Sequence, residues 1–280
     1  MKKILVTTDF SANSKAGIRF AIQLASQAPC QLIFYYVKAA LAKDAWSQID
    51  YNDANNSENI LLKDKLNNFI ANIYSTTGKH ADSKIEYVIE SKIYVNAAII
   101  DYAQKCKANY ICMSTRGGGL VNKFIGTNAS SLITTSPVPL IVVPHTYRMK
   151  PLKSILYASD LEKIGTELKS VEEFATTFNA NIAVYHYNYF MEEEEVKNKF
   201  KKITDKYSSA MVSFHFKKND ADLTLLNYLQ ADIRKSKPSL IAMFTKQDRN
   251  WFERLFLSSK SAELGFDTKT PMLVFRKHKQ

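Results

Sequence analysis

The run Ser114-Thr115-Arg116-Gly117-Gly118-Gly119-Leu120-Val121-Asn122-Lys123-Phe124-Ile125-Gly126-Thr127-Asn128-Ala129-Ser130-Ser131 carries the residue types of a phosphate cradle. Gly117, Gly118 and Gly119 have no side chains, so their backbone N–H groups can approach an anion closely. Gly126-Thr127-Asn128 opens a predicted helix, whose first N–H groups and dipole favour negative charge. Thr127 and Ser130 add hydroxyls, and Arg116 and Lys123 add positive charge. A second reading fits the same residues: a glycine-rich turn with Thr127 as a helix cap. The other candidate loop is Thr7-Thr8-Asp9-Phe10-Ser11. Asp9 either meets a ligand there or serves the turn that starts the next helix.

Both loops follow short apolar runs. Ile4–Thr7, Leu32–Val37, Ile85–Ile89, Tyr110–Ser114 and Leu140–Val143 are rich in β-branched or aromatic residues and are expected to be strands. Between them lie helical stripes: Ala16, Phe20, Ala21, Leu24 and Ala25; Ile60, Leu61, Lys65, Phe69 and Ile73; Ala97, Ile100, Tyr102, Ala103 and Cys106. Strict alternation of the two builds a parallel sheet. Apolar runs that do not alternate with polar residues mean strands covered on both faces. Such sheets bind ligands beyond the carboxyl ends of their strands, where strand order reverses.

The pattern occurs twice. Lys3-Ile4-Leu5-Val6-Thr7-Thr8-Asp9 returns as Ser154-Ile155-Leu156-Tyr157-Ala158-Ser159-Asp160, and Gln31–Tyr36 returns as Asn181–His186. Tyr110–Thr115 matches Leu240–Thr245, and Pro139–Val143 matches Pro271–Phe275. The offset is 151, then 150, then 130 and 132, so the first half carries an insertion of about 20 residues. The polar stretch Ala42 to Asn59 is its expected place and reads as a long loop. The junction Arg148-Met149-Lys150-Pro151 divides the chain into domains 1–149 and 150–280.

At this point the sequence resembles the universal stress protein family, over the whole chain as a tandem pair. The resemblance rests on Ile4-Leu5-Val6-Thr7-Thr8-Asp9-Phe10-Ser11, on Met113-Ser114-Thr115-Arg116-Gly117, on Gly126-Thr127 and on Ser136-Pro137-Val138-Pro139-Leu140-Ile141-Val142-Val143. It implies an α/β fold: two tandem doubly wound five-stranded parallel sheets of order 3-2-1-4-5 with helices on both faces. The reversal point then lies between strands one and four. ATP-binding members carry G-x2-G-x9-G followed by Ser or Thr. Here Ser114 stands at the first glycine, and eight residues, Gly118 to Ile125, separate Gly117 from Gly126. The resemblance implies Asp9 against the adenosine part, with Thr8 and the backbone near Val37 lining the base. It places Met113 and Ser114 beside the ribose and Gly117, Gly126, Thr127 and Asn128 on the phosphates, which a Mg²⁺ ion would bridge. It also implies pairing through the last strand, so Val138 to Val143 and Met272 to Phe275 are expected to pair within one chain, as an internal pseudo-dimer.

The second copy is expected to be silent. Its matching loop, Thr245 to Ser259, contains no glycine, has Leu257 and Ser258 at the Gly-Thr step, and adds Trp251, Phe252, Leu255 and Phe256. Side chains there would crowd an anion away from the backbone.

The net charge of +11 fits an anionic ligand. Basic residues outnumber acidic ones by 17 to 10 up to Lys150 and by 21 to 17 beyond it, with no basic run of the kind that marks nucleic-acid binding. No apolar run reaches the roughly 20 residues of a membrane span. The apolar start ends at Thr7-Thr8-Asp9, too short for a signal-peptide core, so the expected location is cytoplasmic. Cys30, Cys106 and Cys112 have no metal or disulfide spacing and read as buried small hydrophobes. Glu192 to Glu195, followed by alternating lysines, reads as a solvated helix, and Tyr185, Tyr187 and Tyr189 read as residues packed under a helix. No catalytic motif appears among the five histidines or elsewhere. The leading expectation is a non-catalytic adenine-nucleotide-binding stress or signalling protein that takes ATP, ADP or AMP in its first domain and is read by a protein partner. The competing readings are a ligand-free dimerisation scaffold and a slow ATP hydrolase.

Overall fold

The computed structural model describes residues 1–40, 48–80, 84–115, 126–188, 193–218, 225–245 and 269–277. The chain divides into two compact units, Met1–Met149 and Lys150–Gln280. Among the described residues no helix is long and apolar enough to cross a membrane.

In the first unit the apolar runs form β1 (Lys2–Thr7), β2 (Cys30–Ala39), β3 (Ile85–Lys92), β4 (Tyr110–Ser114) and β5 (Leu140–Val143). They pair in parallel, in the order β3-β2-β1-β4-β5. The chain leaves β1 towards β3 and returns to β4 on the other side of β1, so the order reverses between β1 and β4. Ile4, Leu5 and Val6 are each fully buried. Consecutive strand residues point to opposite faces, so this burial requires cover on both. The cover comes from α1 (Lys15–Ala25), α2 (Gln48–Thr77), α3 (Val95–Lys105) and α4 (Thr127–Thr135).

Several expectations need correction. The polar stretch from Ala42 to Asn59 is not a loop throughout, because α2 starts at Gln48 and runs unbroken to Thr77. No Gly or Pro interrupts it, and Asn and Asp are weak helix formers rather than breakers. Once its far end is fixed by Leu66, Ile70, Ile73 and Tyr74, which are buried, propagation costs little per residue. Of the stripe expected on this helix, Ile60 and Leu61 are exposed. On α3 Ala103 is buried as expected, but Ala98 and Ile99 are buried where Ala97 and Ile100 were expected. Cys30 and Cys112 are buried, whereas Cys106 is only half-buried.

The second unit repeats the plan with β6 (Ser154–Ala158), α5 (Ile164–Thr177), β7 (Asn181–Asn188), α6 (Glu193–Tyr207), β8 (Val212–Lys218), α7 (Leu225–Ser236), β9 (Leu240–Thr245) and β10 (Met272–Arg276). Its strand order is β8-β7-β6-β9-β10. Tyr185 and Tyr187 are buried, while Tyr189 lies outside the described residues.

Helix α1 comes close to β4 at Gly17. A Cβ there would meet Met113 C and Ser114 N at 3.0 Å. Both are backbone atoms of β4, so neither can move cheaply. Gly17→Ala is expected to destabilise the first unit by about 1–2 kcal/mol in urea titration, the overpacking penalty exceeding the roughly 1 kcal/mol gained in helix propensity. A stabilised variant would contradict this packing.

Candidate functional site

The turn after β1 is built from its own side chains. Thr8 N donates to Tyr35 O at 3.1 Å, and Phe10 N donates to Thr8 Oγ1 at 3.1 Å. Ser11 N donates to Asp9 Oδ1 at 3.0 Å. Ser14 Oγ donates to Ser11 O at 2.8 Å, so in the 2.9 Å Thr8–Ser14 hydroxyl pair Thr8 is the donor. These bonds hold Phe10 at φ 62°, a left-handed conformation unusual for an aromatic residue. Its ring is braced by Tyr36 at 4.6 Å and Phe69 at 5.6 Å, with Lys65 Nζ 4.9 Å above it.

The end of β4 is locked to α1. Ser114 Oγ accepts from Gly17 N at 2.9 Å and donates to Ser14 O at 3.2 Å. The serine that replaces the family glycine thus directs its hydroxyl at the helix, with 6% of the residue exposed. The chain returns to the same point at Gly126, whose N donates to Thr115 O at 2.6 Å. The ends of the 116–125 segment are therefore fixed side by side. Gly126 is the N-cap of α4 and supplies no capping side chain. Thr127 is the first helical residue rather than the cap, which corrects that reading. Thr127 and Asn128 are exposed, and the uncapped first turn presents its N–H groups to an anion.

Between these two edges lies a cleft of about 390 Å³. Thr7, Thr8, Asp9 and Ser14 line one side, and Met113, Ser114, Thr115 and Gly126 to Ala129 line the other. Its far end is formed by Tyr35, Tyr36, Val37 and Ala39 of β2 with Val95 and Ile99 of α3. Eight of the expected site residues thus meet around one cavity: Thr8, Asp9, Val37, Met113, Ser114, Gly126, Thr127 and Asn128. Arg116 and Gly117, with Gly118, Gly119 and Lys123, lie outside the described residues. Sequence reasoning missed Val95 and Ile99, an i,i+4 apolar pair at the start of the helix after β3, a spacing that could have revealed them. It also missed Tyr35, whose buried hydroxyl shares its one proton between Glu90 Oε2 at 3.0 Å and Ala98 O at 3.3 Å. Burial, then the Glu90 charge and hydrogen bond, push that phenol far above its ordinary value, so it stays neutral. Asp9 is the one ionisable carboxylate on the described cleft wall. Among the described residues no group of three or more His, Cys, Asp or Glu could hold a metal.

The second unit keeps the turn and changes what surrounds it. Ser159 N donates to Tyr185 O at 2.9 Å, Leu161 N to Ser159 Oγ at 3.1 Å, and Glu162 N to Asp160 Oδ1 at 3.0 Å, with Leu161 at φ 63°. An aspartate at this point therefore has a structural duty in both units. Lys277, directly after β10, is 7% exposed and reaches Asp160 Oδ2 at 2.7 Å, Glu162 Oε2 at 3.1 Å and Glu167 Oε1 at 3.4 Å. Glu167 is buried and accepts from Tyr157 Oη at 2.5 Å. Burial pushes the Lys277 ammonium down, but the hydrogen bond and charge of Asp160, with Glu167 and Glu162, outweigh it and hold the group above its ordinary value. The second unit's counterpart of the glycine loop, from Lys246 on, lies outside the described residues.

A doubly wound parallel α/β unit with its cleft at the reversal of strand order defines the class. The family model of the universal stress protein family matches residues 1–144, so the chain belongs to that family. A universal stress protein from Archaeoglobus fulgidus DSM 4304 is similar in fold, with a TM-score of 0.69 at 14% identity over 98% of each chain. A putative universal stress protein from Pseudomonas aeruginosa UCBPP-PA14 has a TM-score of 0.61 at 13% identity, covering 99% of this chain and 93% of that one. Among curated proteins none matches the chain.

Ser114→Ala removes the acceptor of the Gly17 amide inside the fold and is expected to cost about 1–3 kcal/mol in a urea titration. A neutral result would remove the lock. In the second unit, Lys277 has a raised folded pKa, so its contribution is complete below its ordinary value of 10.5 and is lost as pH rises through the raised one. Stability of that unit is expected to fall above about pH 10.5. Lys277→Met should cost about 3 kcal/mol at neutral pH and flatten the alkaline fall. An unchanged pH profile would deny the ion pair its role.

Proposed function

We propose that the first unit holds an adenine nucleotide, ATP or one of its shorter relatives, and that the protein reports occupancy rather than turning the nucleotide over. The observation that carries this is the polarity of the cleft between the β1 turn and the start of α4. Its β2–α3 end is an apolar slot suited to a planar base, and its other end is the uncapped start of α4, suited to phosphate. Its size lies within the range of small-molecule sites, roughly 300–1,000 Å³. Asp9 stands between the two ends, where a carboxylate would accept from ribose hydroxyls. The Ser114 hydroxyl is turned into α1, so the replacement of the family glycine leaves the cleft unblocked. Mg²⁺ would arrive with the phosphates.

Support for a non-catalytic role is that the cleft's one described carboxylate already binds the Ser11 amide through Oδ1, which leaves it poorly placed as a general base. Nucleotide-dependent ordering of the cleft edges would be the state that a protein partner reads, in the cytoplasm. The second unit contributes no nucleotide site in this reading.

Isothermal titration of the full chain with ATP and ADP, with and without Mg²⁺, is expected to show one site per chain. Gly126→Val, which puts a side chain at the mouth of the helix, and Arg116→Ala should each weaken binding at least about tenfold, a loss of about 1.4 kcal/mol. Asp9→Asn keeps the turn's acceptor oxygen and should weaken binding without loss of stability. Absence of heat at high micromolar nucleotide would leave the scaffold reading in possession, and steady phosphate release would favour the hydrolase.

A further inference from the structure

The two units correspond position by position. Thr7 pairs with Tyr35 between β1 and β2, as Ala158 pairs with Tyr185 between β6 and β7. Tyr187 therefore stands where Val37 stands. In the first unit Val37, with Val95 and Ile99 of α3 lining the same cleft, leaves a slot open. In the second, Tyr187 is buried and its ring runs from β7 to the facing helix, where its hydroxyl donates to Asp232 Oδ2 of α7 at 3.1 Å. Asp232 is itself 7% exposed and lies 3.0 Å from Lys217 Nζ through its other oxygen. In the first unit Tyr35 also reaches α3, at Ala98 O, but the position of Val37 beside it stays open, whereas the matching position in the second unit is filled by the Tyr187 ring.

The other end differs in the same sense. Met113 pairs with Val142 and Met243 with Val274, so Lys277 takes the position of His145. His145 is exposed, whereas Lys277 closes on Asp160, the counterpart of Asp9. In the sheet β9 lies between β10 and β6, so the lysine reaches past the end of β9 to make this contact.

We infer that the second unit is a self-occupied copy of the site: the Tyr187 ring stands in the base slot and the Lys277 ammonium holds the aspartate, so the chain takes one nucleotide. Naming the slot rests on the nucleotide reading of the first unit; its filling does not. Displacing Tyr187 would take a hydrogen bond from a buried carboxylate, and displacing Lys277 would strand Glu167. The two side chains thus hold this unit in a single state, whatever the nucleotide concentration.

The test uses adenosine as the probe, since it needs no phosphate loop, and equilibrium dialysis of the full chain. Tyr187→Val/Lys277→Ala, folded by circular dichroism, is expected to bind one equivalent more than the wild type, and Tyr187→Phe, which keeps the ring, no more. A folded double variant with wild-type stoichiometry overturns the inference. Tyr187→Val alone, which leaves Lys217 on Asp232, serves if the double variant does not fold. Hydrogen exchange of the wild type adds a second readout: ATP should slow amides of 8–14 and leave those of 159–165 unchanged, and equal slowing of both also overturns the inference. Wild type that binds no adenosine and shows no slowing removes the nucleotide reading instead, while a gained equivalent in the variant still upholds self-occupancy.

Discussion

The site depends on how closely α1 presses on β4. At Gly17 the helix backbone meets the strand with no room for a methyl group. The Gly17 amide then reaches the Ser114 hydroxyl, which in turn reaches the Ser14 carbonyl. One serine so fixes the end of β4 against the start of α1. Because the β1 turn leads into α1 and the 116–125 segment leaves β4, the same contact sets the separation of the two cleft edges. A wider spacing would move the Asp9 turn away from the start of α4.

The duplicated turn separates structural from functional duty. Asp9 and Asp160 make the same bond to the amide two residues on, within a turn of the same left-handed geometry. Selection for the turn alone would keep both. What differs is the setting: Asp9 lines a cleft, whereas Asp160 is held by the buried Lys277.

Much of the fold was legible in the sequence because β1, β2, β4 and β5 are unbroken apolar runs, a pattern that only a sheet covered on both faces tolerates. The repeat reappears as the same strand order in both units, and Gly126 marked the start of α4. Other features resisted. The Asn- and Asp-rich start of α2 has a composition typical of loops, and only anchoring by Leu66 and Ile70 further along makes it helical. On α3 Ala103 was read correctly but Ala98 and Ile99 were not, because the apolar residues of this helix cover more than one face and packing against the sheet selects among them. Tyr187 looked like a residue packed under a helix, which it is; that it fills the position held by Val37 in the other copy emerges only when the two registers are laid side by side. Lys277 gave no signal, since its three carboxylate partners lie more than a hundred residues away in sequence.

The central claim is that one cleft in the first unit, and no counterpart in the second, accepts an adenine nucleotide. A crystal structure of the full chain grown with ADP and Mg²⁺ tests it most directly. The account requires planar density between Val37 and Ile99 with a phosphate tail at Gly126 and Thr127, and Tyr187 and Lys277 in place in the other unit. Nucleotide density beside Asp160, or a first-unit cleft filled by the protein's own side chains, would contradict it.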